Sequence, residues 1–241
     1  MPLAGVAAHC FTSRDLDFRI RDGRPPAAWD ALAAQFGVAA DRVSWVRQVH
    51  GTAVACLERR LHRVGSVRGQ ARPEADVIVS NDPEWVIAVQ VADCVPLLLA
   101  DPVTGAVAAA HAGWRGTLAG VAAVAVAALR ERLGVDPGNL LAAIGPSIGP
   151  CCYEVGDEVR RSFEEVGGER AGGWFAGADG ARPRLDLWRA NRDRLVECGV
   201  RAERVHVSAI CSATRGDVCF SYRRDGADAG RMVGAIRAPG A

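Results

Sequence analysis

The stretch VQVADCVPLLLADPVTGAVAAAHAGWRG, residues 89–116, sets two apolar runs on either side of the turn sequence DPVTG. Proline presets φ and glycine accepts a left-handed conformation, so the two runs are predicted to fold back as a β-hairpin within a buried sheet. With the turn centred on Val103, paired positions sum to about 206 and Cys94 falls opposite Ala112, next to His111; a one-residue slip exchanges faces, so proximity of Cys94 and His111 is the expectation. A thiol and an imidazole at one hairpin end make either a metal site or a thiolate–imidazolium pair. His50, which ends the strand-like VSWVRQVH just before Gly51, is a third donor candidate. Two imidazoles and one thiolate leave one tetrahedral position open, the pattern of catalytic zinc.

Composition narrows the class. The 241 residues are 49% hydrophobic and 24% charged, which suits a globular chain with a substantial core. A formal charge of +1 argues against a nucleic-acid surface. All 29 basic residues are arginine, so neither a Schiff-base lysine nor a P-loop lysine is available. The start, MPLAGVAAHCFTSRDLDFRI, lacks the basic region and apolar core of a signal peptide, and GVAAVAVAALRERLG is too short to span a membrane. Eight cysteines in a chain of this length read as reduced thiols, and the expected location is the cytoplasm.

Strands are predicted over 43–51, 75–80 and 85–92. A helix nearly apolar all round is expected from Thr117, as its cap, to Leu133, stopped by Gly134 and Pro137. Further helices are expected over 186–198 and near 156–166, with loops over 62–76 and 167–184. The mixture is α/β or α+β without the regular strand–helix alternation of a doubly wound sheet.

Five motifs occur in order: Gln48-Val49-His50-Gly51; Ala92-Asp93-Cys94-Val95-Pro96; His111-Ala112-Gly113-Trp114-Arg115-Gly116; IGPSIGPCCYEVGDEV with LDLWRAN; and Ser221-Tyr222-Arg223-Arg224-Asp225-Gly226 with Gly230-Arg231-Met232. Over residues 41–233 the chain resembles the YfiH/LACC1 family of laccase-domain, multicopper polyphenol oxidase-like proteins. The resemblance implies one domain over 1–241, folded as a layered α/β/β/α sandwich related to cysteine-hydrolase-like toxins. It implies zinc on His50, Cys94 and His111, and phosphorolysis of adenosine, inosine and methylthioadenosine together with adenosine deamination. The partners implied are purine nucleosides and phosphate, in a monomer or homodimer. The N-terminal segment departs from the family pattern: His9-Cys10-Phe11-Thr12-Ser13-Arg14 keeps only part of it.

The laccase label meets an obstacle in the residues themselves. A multicopper oxidase needs a type 1 site plus a histidine-rich trinuclear cluster, and five histidines with Met1 and Met232 as the only methionines do not supply them. Copper remains a possible substitute for zinc at an N/S site. The known nucleobase deaminases pair zinc with a glutamate in His-x-Glu, which is absent here. Asp93 is the acid nearest Cys94 and would point to the opposite strand face, where it orients a ligand or caps a turn. For phosphate, Gly113-Trp114-Arg115-Gly116-Thr117 leads into a helix start, so Arg115, Gly116, Thr117 and Arg223 are the substrate-contact candidates. Trp114 or Tyr153 can stack on a purine. The alternatives are a metal-free cysteine hydrolase or amidase, with Cys94 as nucleophile and His111 as base, and a copper-dependent polyphenol oxidase. Cys151 and Cys152 are too close in sequence for an unstrained disulfide.

Overall fold

The computed structural model describes residues 3–20, 26–57, 72–177 and 182–240. Two sheets face one another. The smaller has the order β1 (Ala8–Phe11), β12 (Met232–Arg237), β5 (Val86–Val91) and β2 (Val43–Trp45). The larger has the order β11 (Val205–Val207), β8 (Leu141–Ile144), β6 (Val95–Ala100), β7 (Val107–Ala112), β4 (Val77–Ser80) and β3 (Val54–Leu57). A two-stranded ribbon, β9 (Phe175–Ala176) with β10 (Arg184–Leu185), lies apart from both.

Period-two alternation sorts the apolar residues into layers. Ile78, Leu98, Ala109 and Ala143 of the larger sheet meet Ile87, Val89 and Ile236 of the smaller one in a buried middle layer. The neighbouring positions Val77, Val79, Leu97, Leu99, Ala108 and Ala110 turn outward under helices. Those are α3 (Val121–Leu133), α4 (Asp157–Gly167) and α5 (Leu187–Glu197). On the far side α1 (Ala28–Gln35) covers the smaller sheet, with Trp29 stacked on Trp45 at 4.7 Å and Phe18 edge-on to Trp29. The layers therefore run α/β/β/α, and β6 is apolar at every position because both of its faces are covered. None of the described helices is long and apolar enough to cross a membrane.

Four local expectations need correction. The hairpin pairs Val95 with Ala112 and Pro96 with His111, one residue out from the predicted register. The cause is a four-residue turn: Asp101 bonds backbone to backbone with Ala106, its carboxylate caps Val103 and Thr104, and Gly105 takes φ 73°. The helix expected over 117–133 is two helices, α2 (Trp114–Leu118) and α3, separated at Gly120 with φ 83°. Thr117 is accordingly not a cap but a buried residue inside α2, its hydroxyl accepting from Asn191 Nδ2 at 3.0 Å. The strand over 43–51 stops at Trp45; beyond it the chain leaves the sheet and turns at 49–51, where its N–H groups bond the Asp76 carboxylate. Finally, the loop expected over 167–184 holds a 3-10 helix (Gly168–Trp174) and both ribbon strands. Of the loop expected over 62–76, residues 62–71 lie outside the described residues.

Leu98 is fully buried in the central strand between the two sheets. Leu98→Ala is expected to cost about 2–5 kcal/mol of folding free energy, read as a lower urea midpoint with an unchanged slope.

Candidate metal centre

Three segments meet where the sheets cross. His50 follows β2 of the smaller sheet, Cys94 lies in the connection from β5 to β6 that passes between sheets, and His111 sits within β7 of the larger one. Cys94 faces Gly113, not Ala112, because of the register described above. A β-carbon at Gly113 would stand 2.9 Å from Cys94 Sγ and 3.1 Å from His50 Cδ2, so only glycine lets the thiol and ring approach there.

Asp76, immediately before β4, aligns two of the three donors and is fully buried. Its carboxylate accepts His111 Nδ1 at 2.8 Å and the backbone N–H groups of Val49, His50 and Gly51 at 3.2, 3.0 and 2.7 Å. These bonds hold His50 at φ 60°, a left-handed conformation uncommon for histidine. They also commit Nδ1 of His111 and leave Nε2 for a ligand, as an outer-shell carboxylate does around a metal. Sequence reasoning did not find Asp76. Its signal was an acid at the head of the apolar run Val77–Val79, which does not reveal the partner.

The ligand atoms of His50, Cys94 and His111 all lie within 4.8 Å of one another. Cys94 Sγ is 4.0 Å from His50 Nε2, and the imidazole centroids are 4.8 Å apart at 80°. Burial alone would raise the Cys94 thiol, but the charge and hydrogen bond of His111, joined by His50, bring it down to about 6. Burial likewise opposes a charged His111, yet the Cys94 thiolate and Asp76 carry it up to about 9. Without a cation the pair therefore rests as thiolate and imidazolium at neutral pH. A cation bound there replaces the His111 proton, and the donor set of two imidazoles and one thiolate fits zinc with one position left over.

The centre opens on a cavity of about 660 Å³ whose lining includes Arg19, Arg47, Arg72, Arg115, Arg223 and Arg231. Arg115 and Arg72 lie over the indoles of Trp114 and Trp45, at 4.3 and 3.9 Å, and have no hydrogen-bond partner among the described residues. Arg223 lies over Tyr153 and donates to the carbonyls of Cys152 and Glu154. Gly116 and Thr117, expected as substrate contacts, are buried in the helix layer and do not line the cavity. Asp93 lines it, but at φ 87° in a tight connection and not on a strand face; its carboxylate accepts Ser212 Oγ and the Arg223 N–H, each at 2.6 Å. Gln48 extends the β2–β5 pairing with its side-chain amide, bonding both the N–H and the carbonyl of Gln90. His9 and His206 are absent from the lining, and His62 lies outside the described residues.

An α/β/β/α sandwich thus carries, beside its two sheets, a two-histidine, one-cysteine group that could hold a metal ion. The chain belongs to the multi-copper polyphenol oxidoreductase laccase family, whose profile matches residues 3–239. It is 40% identical over 238 residues to a purine nucleoside phosphorylase of Deinococcus radiodurans, covering 98% of this chain and 86% of that protein. It is 37% identical over 206 residues to adenosine deaminase RL5 of an unknown prokaryotic organism, covering 85% and 78%. The crystal structure of YlmD from Geobacillus stearothermophilus superposes with a TM-score of 0.89 at 29% identity, over 99% of this chain and 94% of that one.

Two outcomes are expected at this centre. Asp76→Asn should weaken zinc binding about 10- to 100-fold in competition with a chromophoric chelator, since the His111 ring and the 49–51 turn are both released. Zinc affinity should rise about tenfold per pH unit between about 6 and about 9, where the His111 proton is displaced, and more steeply below, where Cys94 is protonated as well. Calorimetry in buffers of different ionisation enthalpy counts those protons.

Proposed function

We propose that the protein is a cytoplasmic, zinc-dependent purine nucleoside phosphorylase that also deaminates adenosine. The observation that carries this reading is an open three-donor centre beside a cavity lined, among the described residues, by six arginines and by the rings of Trp114, Tyr153 and Tyr222. Such a lining suits a flat base and an oxyanion at once. Aromatic faces stack on purines, and unpartnered guanidinium groups take phosphate oxygens in pairs. Copper is an alternative occupant of the same donors. The polyphenol oxidase reading gains little support, because His50 and His111 are the only histidines in a potential metal group among the described residues.

In phosphorolysis a phosphate oxygen bonds to C1′ while the glycosidic C–N bond breaks and its electron pair leaves with the purine. Arg115 neutralises and orients the phosphate, with Arg223 on the same wall held by Asp93 and two carbonyls. The aromatic rings fix the base so that bond breaking needs little further reorganisation. Bound zinc supplies Lewis acidity at the centre. For deamination, a proton must reach the departing amine. Asp93 is the one carboxylate lining the cavity among the described residues, and both of its oxygens already accept hydrogen bonds. The arginine lining thus favours phosphorolysis as the stronger activity.

The competing reading, a metal-free cysteine hydrolase, draws on the low Cys94 and high His111 titration described above. Alkylation separates the two: zinc-loaded enzyme should resist iodoacetamide at Cys94, whereas a free nucleophile reacts at once. Adenine release from adenosine is expected to require phosphate and to vanish with zinc in Cys94→Ala. Arg115→Ala should raise the KM for phosphate by about tenfold or more at unchanged zinc content. Adenine release without phosphate would overturn the phosphorylase assignment.

A further inference from the structure

A second group of thiols gathers beside the cavity and shares no residue with the centre described above. The Sγ atoms of Cys151, Cys152 and Cys211 all lie within 4.8 Å of one another. Cys151 is exposed, Cys152 half-buried and Cys211 buried, and all three are free thiols. Main-chain bonds, not flexible side chains, create this arrangement. Ser147 and Cys211 bridge in parallel, with Ser147 N–H to Ile210 O at 3.2 Å and Ser212 N–H to Ser147 O at 3.0 Å. The turn after Gly149 is closed by the N–H groups of Cys152 and Tyr153 on the Gly149 carbonyl. The Gly149 N–H itself donates to Cys211 Sγ at 3.3 Å, the kind of contact that orients a sulfur ligand.

A metal–sulfur bond of about 2.3 Å sets three trigonal sulfurs about 4.0 Å apart, so contraction of at most about 0.8 Å turns this cluster into a coordination site. We propose that Cys151, Cys152 and Cys211 form a second metal site, specific for a soft thiophilic cation, with monovalent copper as its best-matched occupant. Three thiolates saturate a trigonal soft ion, while structural zinc is closed by four ligands and, among the described residues, no fourth histidine, cysteine or carboxylate joins the group. Divalent copper prefers nitrogen and oxygen donors in a tetragonal array, which this cluster lacks. Occupancy would tie the 147–153 loop to the 210–212 segment. The first carries Tyr153 and the carbonyl that receives Arg223; the second carries Ser212, which holds Asp93. The ion would therefore stiffen the substrate wall from outside.

The test is anaerobic titration of the full chain with Cu(I) against a chromophoric chelator, following the ultraviolet thiolate-to-copper absorption. Cys94→Ala removes the sulfur of the first centre and is expected to retain one equivalent of Cu(I) with that absorption. Adding Cys151→Ser, a change at an exposed position, is expected to weaken this equivalent at least tenfold and abolish its absorption. Cys152→Ser in the same background provides an independent loss should the first variant be poorly folded. An absent thiolate absorption in Cys94→Ala, or one that survives both serine substitutions, would overturn the proposal.

Discussion

A single buried carboxylate holds the working end of this molecule together. Asp76 is removed from water entirely, a large penalty for a charged group unless its oxygens are satisfied. Burial pushes its carboxyl upward, but the bonds from His111, Gly51 and Val49 outweigh burial and keep the group below the usual carboxylate range. Those donors come from different sheets: the 49–51 turn leaves the smaller one, and His111 belongs to the larger. The interaction that orients the His111 ring is therefore also a clasp between the two halves of the sandwich. Acid that protonates Asp76 removes both contributions together, so this part of the stability is lost as pH falls through the depressed value.

Strain gathers around the same seam. His50 and Asp93 both occupy left-handed backbone conformations, which cost of order 1–3 kcal/mol for residues with side chains. Each is over-determined by its surroundings. Asp76 grips the backbone at His50, while Asp93 is held by Ser212, by the Arg223 N–H and by its own carbonyl accepting from Ile148. Gly113 completes the set by giving the Cys94 sulfur the space a β-carbon would take. The result is a rigid floor on which donors are placed before any cation or substrate arrives, which limits reorganisation at the moment of binding.

Legibility in the sequence was uneven, and the misses have identifiable causes. The hairpin was plain from DPVTG between apolar runs, yet its register was off by one. An Asp101-capped turn of four residues cannot be told from a three-residue one by composition. The helix expected over 117–133 runs through Gly120, whereas in the structure that glycine's left-handed φ separates α2 from α3. Gly116 and Thr117 looked like phosphate contacts because they lead into a helix start with free N–H groups. Helical geometry turns them inward, and Asn191, distant in sequence, takes the Thr117 hydroxyl.

The sequence by itself determined the donor chemistry, the continuous apolar strands that demand burial, and the absence of lysine-based mechanisms. Those properties reside in single residues or short spacings, where local geometry suffices. Tertiary structure alone decided that Asp76 serves His111 and His50, that Arg19, Arg72, Arg115, Arg223 and Arg231 line one cavity, and that Cys211 joins Cys151 and Cys152. Each of these is a meeting of segments far apart in the chain. It exists only after two sheets have packed face to face, because that packing, not any spacing, brings their edges and connecting loops to a common end.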